Sequence, residues 1–285
     1  TGLGRLAARV TLIAAQTPRQ PLNAKLEGKI NMLQYEDMTM KDIPFQAFYD
    51  VNNMGLSLDA NMPMGRIAAN AVMSQAKVPD IHLDLKVDSL LVNSLYKNDL
   101  WKNPKLSFSL IGDIKGLDID DMSGKVLLDN LSFTDSTFNF APGTIELEMG
   151  QKEAGAKFIH LSSSLFTAKI EGKYKFATLP DEITNLMNKY LSSVFRQTKR
   201  IRKNENDFAF SLVSQNTEEL GRIFALPVDI ITPANIGGRI NTIEHKIDIE
   251  GSIPLGRYGD IDIRGMRLSL ANQDSAFNLS AGADV

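Results

Sequence analysis

Long stretches of this sequence alternate apolar and polar residues with a period of two. Leu22, Ala24, Leu26, Gly28, Ile30 and Met32 interleave with Asn23, Lys25, Glu27, Lys29 and Asn31. Met54, Leu56, Leu58, Ala60 and Met62 interleave with Gly55, Ser57, Asp59 and Asn61, and Ile81, Leu83, Leu85 and Val87 with His82, Asp84 and Lys86. The pattern returns around Leu106-Phe108-Leu110, Val126-Leu128, Ile145-Leu147-Met149, Phe166-Ala168-Ile170, Ile247-Ile249, Ile261-Ile263 and Phe277-Leu279. Residues two apart in a strand share a face, so each strand has one apolar and one wet face, the pattern of antiparallel pairing. Turn chemistry separates the runs at Asn52-Asn53, Pro63-Met64-Gly65, Pro142-Gly143, Pro254-Leu255-Gly256 and Tyr258-Gly259-Asp260. About fourteen strands are predicted, mostly joined by short connections.

Five of the apolar runs carry a glycine between two larger apolar residues. They are Leu26-Glu27-Gly28-Lys29-Ile30, Met122-Ser123-Gly124-Lys125-Val126, Ile170-Glu171-Gly172-Lys173-Tyr174, Ile236-Gly237-Gly238-Arg239-Ile240 and Ile249-Glu250-Gly251-Ser252-Ile253. Such a glycine removes bulk where a sheet bends or where another group packs closely on the backbone. The expectation is one long, repeatedly curved sheet with a hydrophobic inner surface.

One region breaks the strand pattern. From Thr178 to about Lys203, Ile183, Leu186, Met187, Tyr190, Leu191, Val194 and Phe195 form a single stripe at helical spacing. Thr178 with Asp181 resembles a capping box, and Pro180 suits a first turn. Arg196, Lys199, Arg200, Arg202 and Lys203 sit at the predicted C-terminal end, where cations complement the helix dipole. A second, shorter helix is predicted from Asn216 or Thr217 to about Ala225, with Glu219 as capping partner.

Composition narrows the function. A net charge of −3 and a pI of about 5.7 give no support for a nucleic-acid partner. The chain has no cysteine, which removes disulfides, zinc-thiolate sites and cysteine nucleophiles. No run reaches the ~18 apolar residues of a membrane helix. The chain begins at Thr1 rather than Met, and we read it as processed or as a piece of a longer protein, with any signal or anchor outside it. His82, His160 and His245 show no metal-ligand spacing. Asp118, Asp120, Asp121, Asp260 and Asp262 lack the order of a calcium loop, and Ser162-Ser163-Ser164 lacks a nucleophile-elbow context. There is no P-loop or dinucleotide fingerprint. No catalytic residue, cofactor or metal is expected, and a sugar-processing β-helix is disfavoured by the antiparallel-style turns and scattered charges.

These residues resemble the TamB translocation and assembly module family, within the AsmA-like superfamily and in its Bacteroidetes style. The resemblance rests on Ser123-Gly124-Lys125-Val126 leading to Asp129-Asn130-Leu131-Ser132-Phe133, and on Ile170-Glu171-Gly172-Lys173-Tyr174-Lys175-Phe176 leading to Leu179-Pro180-Asp181-Glu182. It implies a long sheet folded into an open trough, in the periplasm of a Gram-negative cell envelope, with an inner-membrane anchor outside this fragment. It also implies a part in moving phospholipid to the outer membrane and in assembling outer-membrane β-barrel proteins.

The expected fold is all-β, a long twisted antiparallel sheet curved into an open hydrophobic groove. Residues 1–177 form groove repeats, 178–226 a helical insertion with one strand packed on the sheet, and 227–285 a continuation, as one continuous domain. The expected lining for phospholipid acyl chains is Leu26, Ile30, Met54, Leu56, Leu58, Ile81, Leu83, Leu85, Phe108, Leu110, Val126, Leu128, Ile145, Leu147, Ile170, Ile240, Ile249 and Ile263. Arg196, Lys199, Arg200, Arg202 and Lys203 are candidates for headgroup or partner contact, or simply a solvated helix end. The recurrence of Gly, Ala and Met (Met32, Met54, Met62, Met149) in the inner phase favours an open face over a self-filled core. Two other classes stay open. One is a scaffold whose unpaired edge strand templates an outer-membrane barrel protein; the other is a closed structural β-repeat module.

Overall fold

The computed structural model describes residues 3–17, 20–35, 38–94, 100–190, 196, 205–273 and 276–284. Within them, 17 strands and two short helices form a mainly-β protein. The strands are β1 (Leu3–Thr17), β2 (Gln20–Tyr35), β3 (Met38–Tyr49), β4 (Asn53–Met62), β5 (Gly65–Ser74), β6 (Asp80–Leu91), β7 (Lys105–Lys115), β8 (Ser123–Thr134) and β9 (Asn139–Gln151). There follow β10 (Lys157–Ser162), β11 (Phe166–Lys173), helix α1 (Leu179–Tyr190), β12 (Asp207–Ser214), helix α2 (Glu218–Phe224), β13 (Val228–Ile230), β14 (Ala234–Asn241), β15 (Lys246–Tyr258), β16 (Ile261–Gln273) and β17 (Ala276–Asp284). They build one long, open antiparallel sheet that is not closed into a barrel.

Pairing follows chain order except at one place, where β12 pairs with β14 and the short β13 pairs with the far end of β15. β8 lies beside β7, because Gly124 packs on the backbone of Asp113. It also lies beside β9, where Thr144 Oγ1 donates to Asp129 Oδ1 at 2.5 Å. The chain divides into two compact units that share β9: residues 1–117 with 124–145, and residues 118–123 with 146–285.

In the first unit, the apolar phase closes on itself at one end of the strands. Ile43, Ala60, Met62, Met64, Val87 and Leu90 are buried there, and Ile30, Leu58, Leu85 and Phe108 pack against them. Met64 belongs to the β4–β5 turn and Leu90 to the end of β6, so the core forms where the hairpin ends supply extra bulk. The opposite phase carries cross-strand charge pairs, such as the two-pronged Arg66–Asp59 contact at 2.9 and 2.7 Å.

In the second unit, α1 lies on the apolar phase. Leu179, Ile183, Leu186 and Met187 meet Tyr174, Phe208, Ile240 and Ile247, with Ile170, Phe210, Ile249 and Leu270 at the margin. The helix forms because residues 183, 186 and 187 fall on one stripe, while Asp181 and Glu182 occupy the favourable first turn. No bond to Asp181 closes the anticipated box; the Thr178 hydroxyl instead reaches back to the Lys175 carbonyl at 3.5 Å. In α2 the cap differs likewise. Asn216 Oδ1 accepts the Glu218 N–H at 2.8 Å, whereas Thr217 Oγ1 accepts the Ile230 N–H and ties the helix to β13. Of the rest of the predicted long helix, residues 191–195 and 197–203 lie outside the described residues, and Arg196 is not helical.

The motif glycines make room for neighbouring strands. Gly28 stands opposite Phe45, Gly172 opposite Phe208 and Gly238 opposite Phe210. A Cβ at Gly28 would lie 2.5 Å from Phe45 Cζ, so the ring rests on the glycine backbone. Gly172, with φ of 144°, is in a conformation other residues rarely adopt, and its backbone packs on that of Asp207.

Candidate functional site

Strand register aligns the apolar phase into rows that run across the strands, one residue per strand. In the first unit Leu12 opposes Leu26, which opposes Ala47. Leu56, Ala71, Leu83 and Gly112 continue the line strand by strand. From Leu26 onward, large and small side chains alternate. Leu56 is left 47% exposed, although every residue of the row is apolar. The closed core begins one row away: Leu58 and Leu85 already pack into it, while Leu26, Leu56 and Leu83 do not.

The second unit repeats the arrangement. Leu147, Leu161, Ala168 and Leu212 oppose one another in turn. Ile236, Gly251, Leu268 and Ala281 complete the row out to β17. Its last five positions floor a cleft of about 520 Å³ whose wall includes Ala234, Ile253 and Met266. That volume is ordinary for a small-ligand site, about 300–1,000 Å³. The one ionisable residue bordering it, Arg267, lies between Met266 and Leu268 and so takes the opposite phase. Along the strands the cleft stops where the α1-covered residues Phe208, Ile240 and Ile247 begin. One apolar face is therefore filled by the protein's own helix at one end and left open at the other.

The helix is tethered at that boundary by buried polar groups. Glu182, Asn206 and Thr242 are almost wholly buried. Glu182 Oε2 accepts from the Thr242 hydroxyl and, at 3.1 Å, from the Glu205 N–H. Burial pushes the Glu182 carboxyl up, but bonds from Thr242, Asn206, Thr178 and the Glu205 amide outweigh it and hold the group below its ordinary value. A second tether joins the 118–122 turn to the α1 approach. Asp120 Oδ1 accepts the Phe176 N–H at 2.8 Å and Lys157 Nζ at 3.1 Å. Beside it the Tyr174 hydroxyl is pushed up to about 12 by burial and by the Asp120 charge.

Most residues expected to line a groove do share the apolar phase, but they divide by environment. Leu26, Leu56, Leu83 and Leu147 lie in the open rows, with Val126 beside Gly112. Met54 and Ile81 lie one row further out, both opposite Met73. Leu110, opposite Leu85, lies in the row next to the core. Leu128 and Ile145, partly buried, are each two residues from Val126 and Leu147 and so keep the same phase on their own strands. Ile30, Leu58, Leu85 and Phe108 belong to the first closed core, and Ile170, Ile240 and Ile249 to the helix-covered one. For those seven the expectation of an open lining is corrected: hairpin ends or α1 fill the space above them. Ile263 opposes Gly256, beyond the left-handed Gly265, and does not line the cleft. The cleft's own residues came partly from the glycine motifs (Ile236, Gly251, Ile253) and partly from strands with weaker alternation, such as Leu212.

Of the basic cluster, Arg196 is exposed, and Lys199, Arg200, Arg202 and Lys203 lie outside the described residues. Among the described residues no group of three His, Asp or Glu is placed to hold a metal ion. His82 pairs with Asp113 at 2.8 Å, and His160 with Glu171 at 2.7 Å. No helix is long and apolar enough to cross a membrane among the described residues. Comparison with models of known protein families, with curated proteins and with solved structures finds no match.

Proposed function

We propose that this chain is a non-enzymatic, hydrophobic conduit segment carrying phospholipid through the periplasm between two membranes, as its resemblance to TamB implies. The observation that supports this reading is the pair of cross-strand apolar rows left uncovered beside filled cores. A row perpendicular to the strands offers an acyl chain one apolar residue about every 4.8 Å. Keeping ~16 methylene carbons out of water is worth ~13 kcal/mol, at roughly 0.8 kcal/mol each. Successive similar contacts spread that gain along a path and leave no single deep trap, while the headgroup stays in water.

The test is site-specific photocrosslinking from opposite faces of one strand. A photoreactive residue at Leu268 or Leu56, in the rows, is expected to label co-purifying lipid, and one at Ser269 or Ser57, in the other phase, is not. Equal labelling from both faces, or none from the rows, overturns the conduit.

A specific feature of β1 favours a second reading, that of a scaffold pairing with a client strand. Among the described residues β1 has a ladder only with β2. It contains neither proline nor lysine, and Leu6, Val10, Leu12 and Ile13 are exposed along it. Proline at Val10 is expected to impair barrel-protein assembly under that reading; normal assembly removes it.

A further inference from the structure

We propose that Gly251 is the specificity-determining position of the second unit's cleft, and that the cleft accepts a single linear hydrocarbon chain and refuses a rigid fused-ring lipid. This rests on the conduit reading and names what that site would hold. The dimensions come from the register. From β12 to β17 the floor crosses five strands, Leu212 to Ala281, and four spacings of about 4.8 Å give a length of about 19 Å. Across that direction the open floor is narrow. The row through Phe210, Ile249 and Leu270 already packs against the α1 core. Only two adjacent rows remain, Leu212 to Ala281 and Ala234 with Ile253 and Met266, separated by two residues along the strand, about 7 Å. A slot much longer than wide suits an extended chain. Arg267 lies between Met266 and Leu268 and so takes the opposite phase of β16; the side chains facing the slot are apolar or small, which suits a hydrocarbon chain.

Within this slot Gly251 lies between Ile236 and Leu268, directly opposite both. It is the one place in the middle of the row without a side chain, flanked by two of the largest. Unlike Gly172, Gly251 has no positive φ and no backbone clash that demands glycine. A Cβ there would stand 3.3 Å from the Asn235 carbonyl oxygen and 3.4 Å from Ile236 Cγ1, a tight fit that small neighbour shifts relieve. Backbone geometry therefore admits a side chain at 251, and a longer one would rise into the cleft. The glycine keeps the slot continuous from Leu212 to Ala281.

The experiment measures binding of radiolabelled palmitate to the whole chain and to Gly251→Ala, Gly251→Leu and Ala281→Leu variants, with unlabelled cholesterol as competitor and thermal unfolding followed in parallel. Palmitate is expected to bind the parent chain and to resist cholesterol. Gly251→Leu should weaken binding by about tenfold or more, the loss of roughly two methylenes' contact, and Gly251→Ala by less. If Gly251→Leu does not fold, the exposed Ala281→Leu at the row's end carries the same expectation. Palmitate bound equally by parent and folded variants overturns the role of Gly251, and efficient displacement by cholesterol overturns the linear-chain preference. Absence of palmitate and of any co-purifying lipid from the parent chain removes the conduit reading itself.

Discussion

The ring of Phe45 lies over the backbone of Gly28, its directly opposed partner on β2, at a distance that leaves no room for a Cβ. Gly172 and Gly238 also stand opposite phenylalanines, Phe208 and Phe210, but there the close neighbours are backbone atoms of Asp207 and Asp248, so these two glycines admit a strand rather than a ring. The ring-on-glycine contact of Gly28 is repeated outside the motif by Gly55–Phe48 and Gly150–Phe158. Gly28→Ala is expected to displace the Phe45 ring and press on the Arg9 carbonyl, costing about 1–3 kcal/mol. Chemical unfolding of the variant checks this, and a Gly28→Ala/Phe45→Leu double variant should recover part of the loss, because the clash is with the ring.

Glu182 ties α1 to the β14–β15 turn through Thr242. Glu182→Gln keeps the shape but removes the charge that strengthens these bonds, and should cost about 1–3 kcal/mol. Equilibrium unfolding with a probe near α1 measures it. A loss below the error of the method would count against the tether.

The acid response follows from the same groups. Hydrogen bonding holds Glu182 below 4.5, and Asp120, despite burial, is held below 3.8 by the Phe176 and Ala177 amides and Lys157. A carboxyl with a lower pKa when folded binds fewer protons than in the unfolded chain. Its stabilisation is complete above the unfolded value and is lost as pH falls through the folded one. The melting temperature should thus hold steady from neutral pH to about 5 and drop in more acidic buffer. The drop should be shallower for Glu182→Gln, and parallel curves for the two proteins would refute the assignment.

Leu186 is 4% exposed, between α1 and the strands it covers. Leu186→Ala is expected to destabilise the second unit by about 2–5 kcal/mol. Binding of a fluorescent apolar dye should rise as the covered end of the face loosens.

The exposed Ile13 faces the phase opposite the Leu12 row on edge strand β1. Ile13→Lys should leave unfolding unchanged within about 0.5 kcal/mol. If β1 pairs with other chains, the charge should reduce that association in sedimentation velocity.

Much of the architecture was legible because sheet faces are written in alternation. The strands around Leu26, Leu56, Leu83 and Ile249 alternate cleanly, and each lies where its pattern predicts. Others were harder to read. β3 holds Pro44 and a left-handed Asp42, and β5 runs through Ala68, Ala69 and Ala71 with little contrast between faces, so the described residues hold seventeen strands where about fourteen were anticipated. α1 was legible from its stripe, but its tether was not, since Glu182, Asn206 and Thr242 are far apart in sequence.

Alternation alone determined that this chain would make a sheet with one greasy and one wet face, because neighbouring side chains on a strand must point opposite ways. Which part of the greasy face stays uncovered was decided only by tertiary packing. Hairpin ends fill the space above Leu58 and α1 the space above Ile240, while register, a relation between distant segments, lines up Leu212, Ile236, Gly251 and Leu268 as a row that the described residues of the second unit leave open as a cleft.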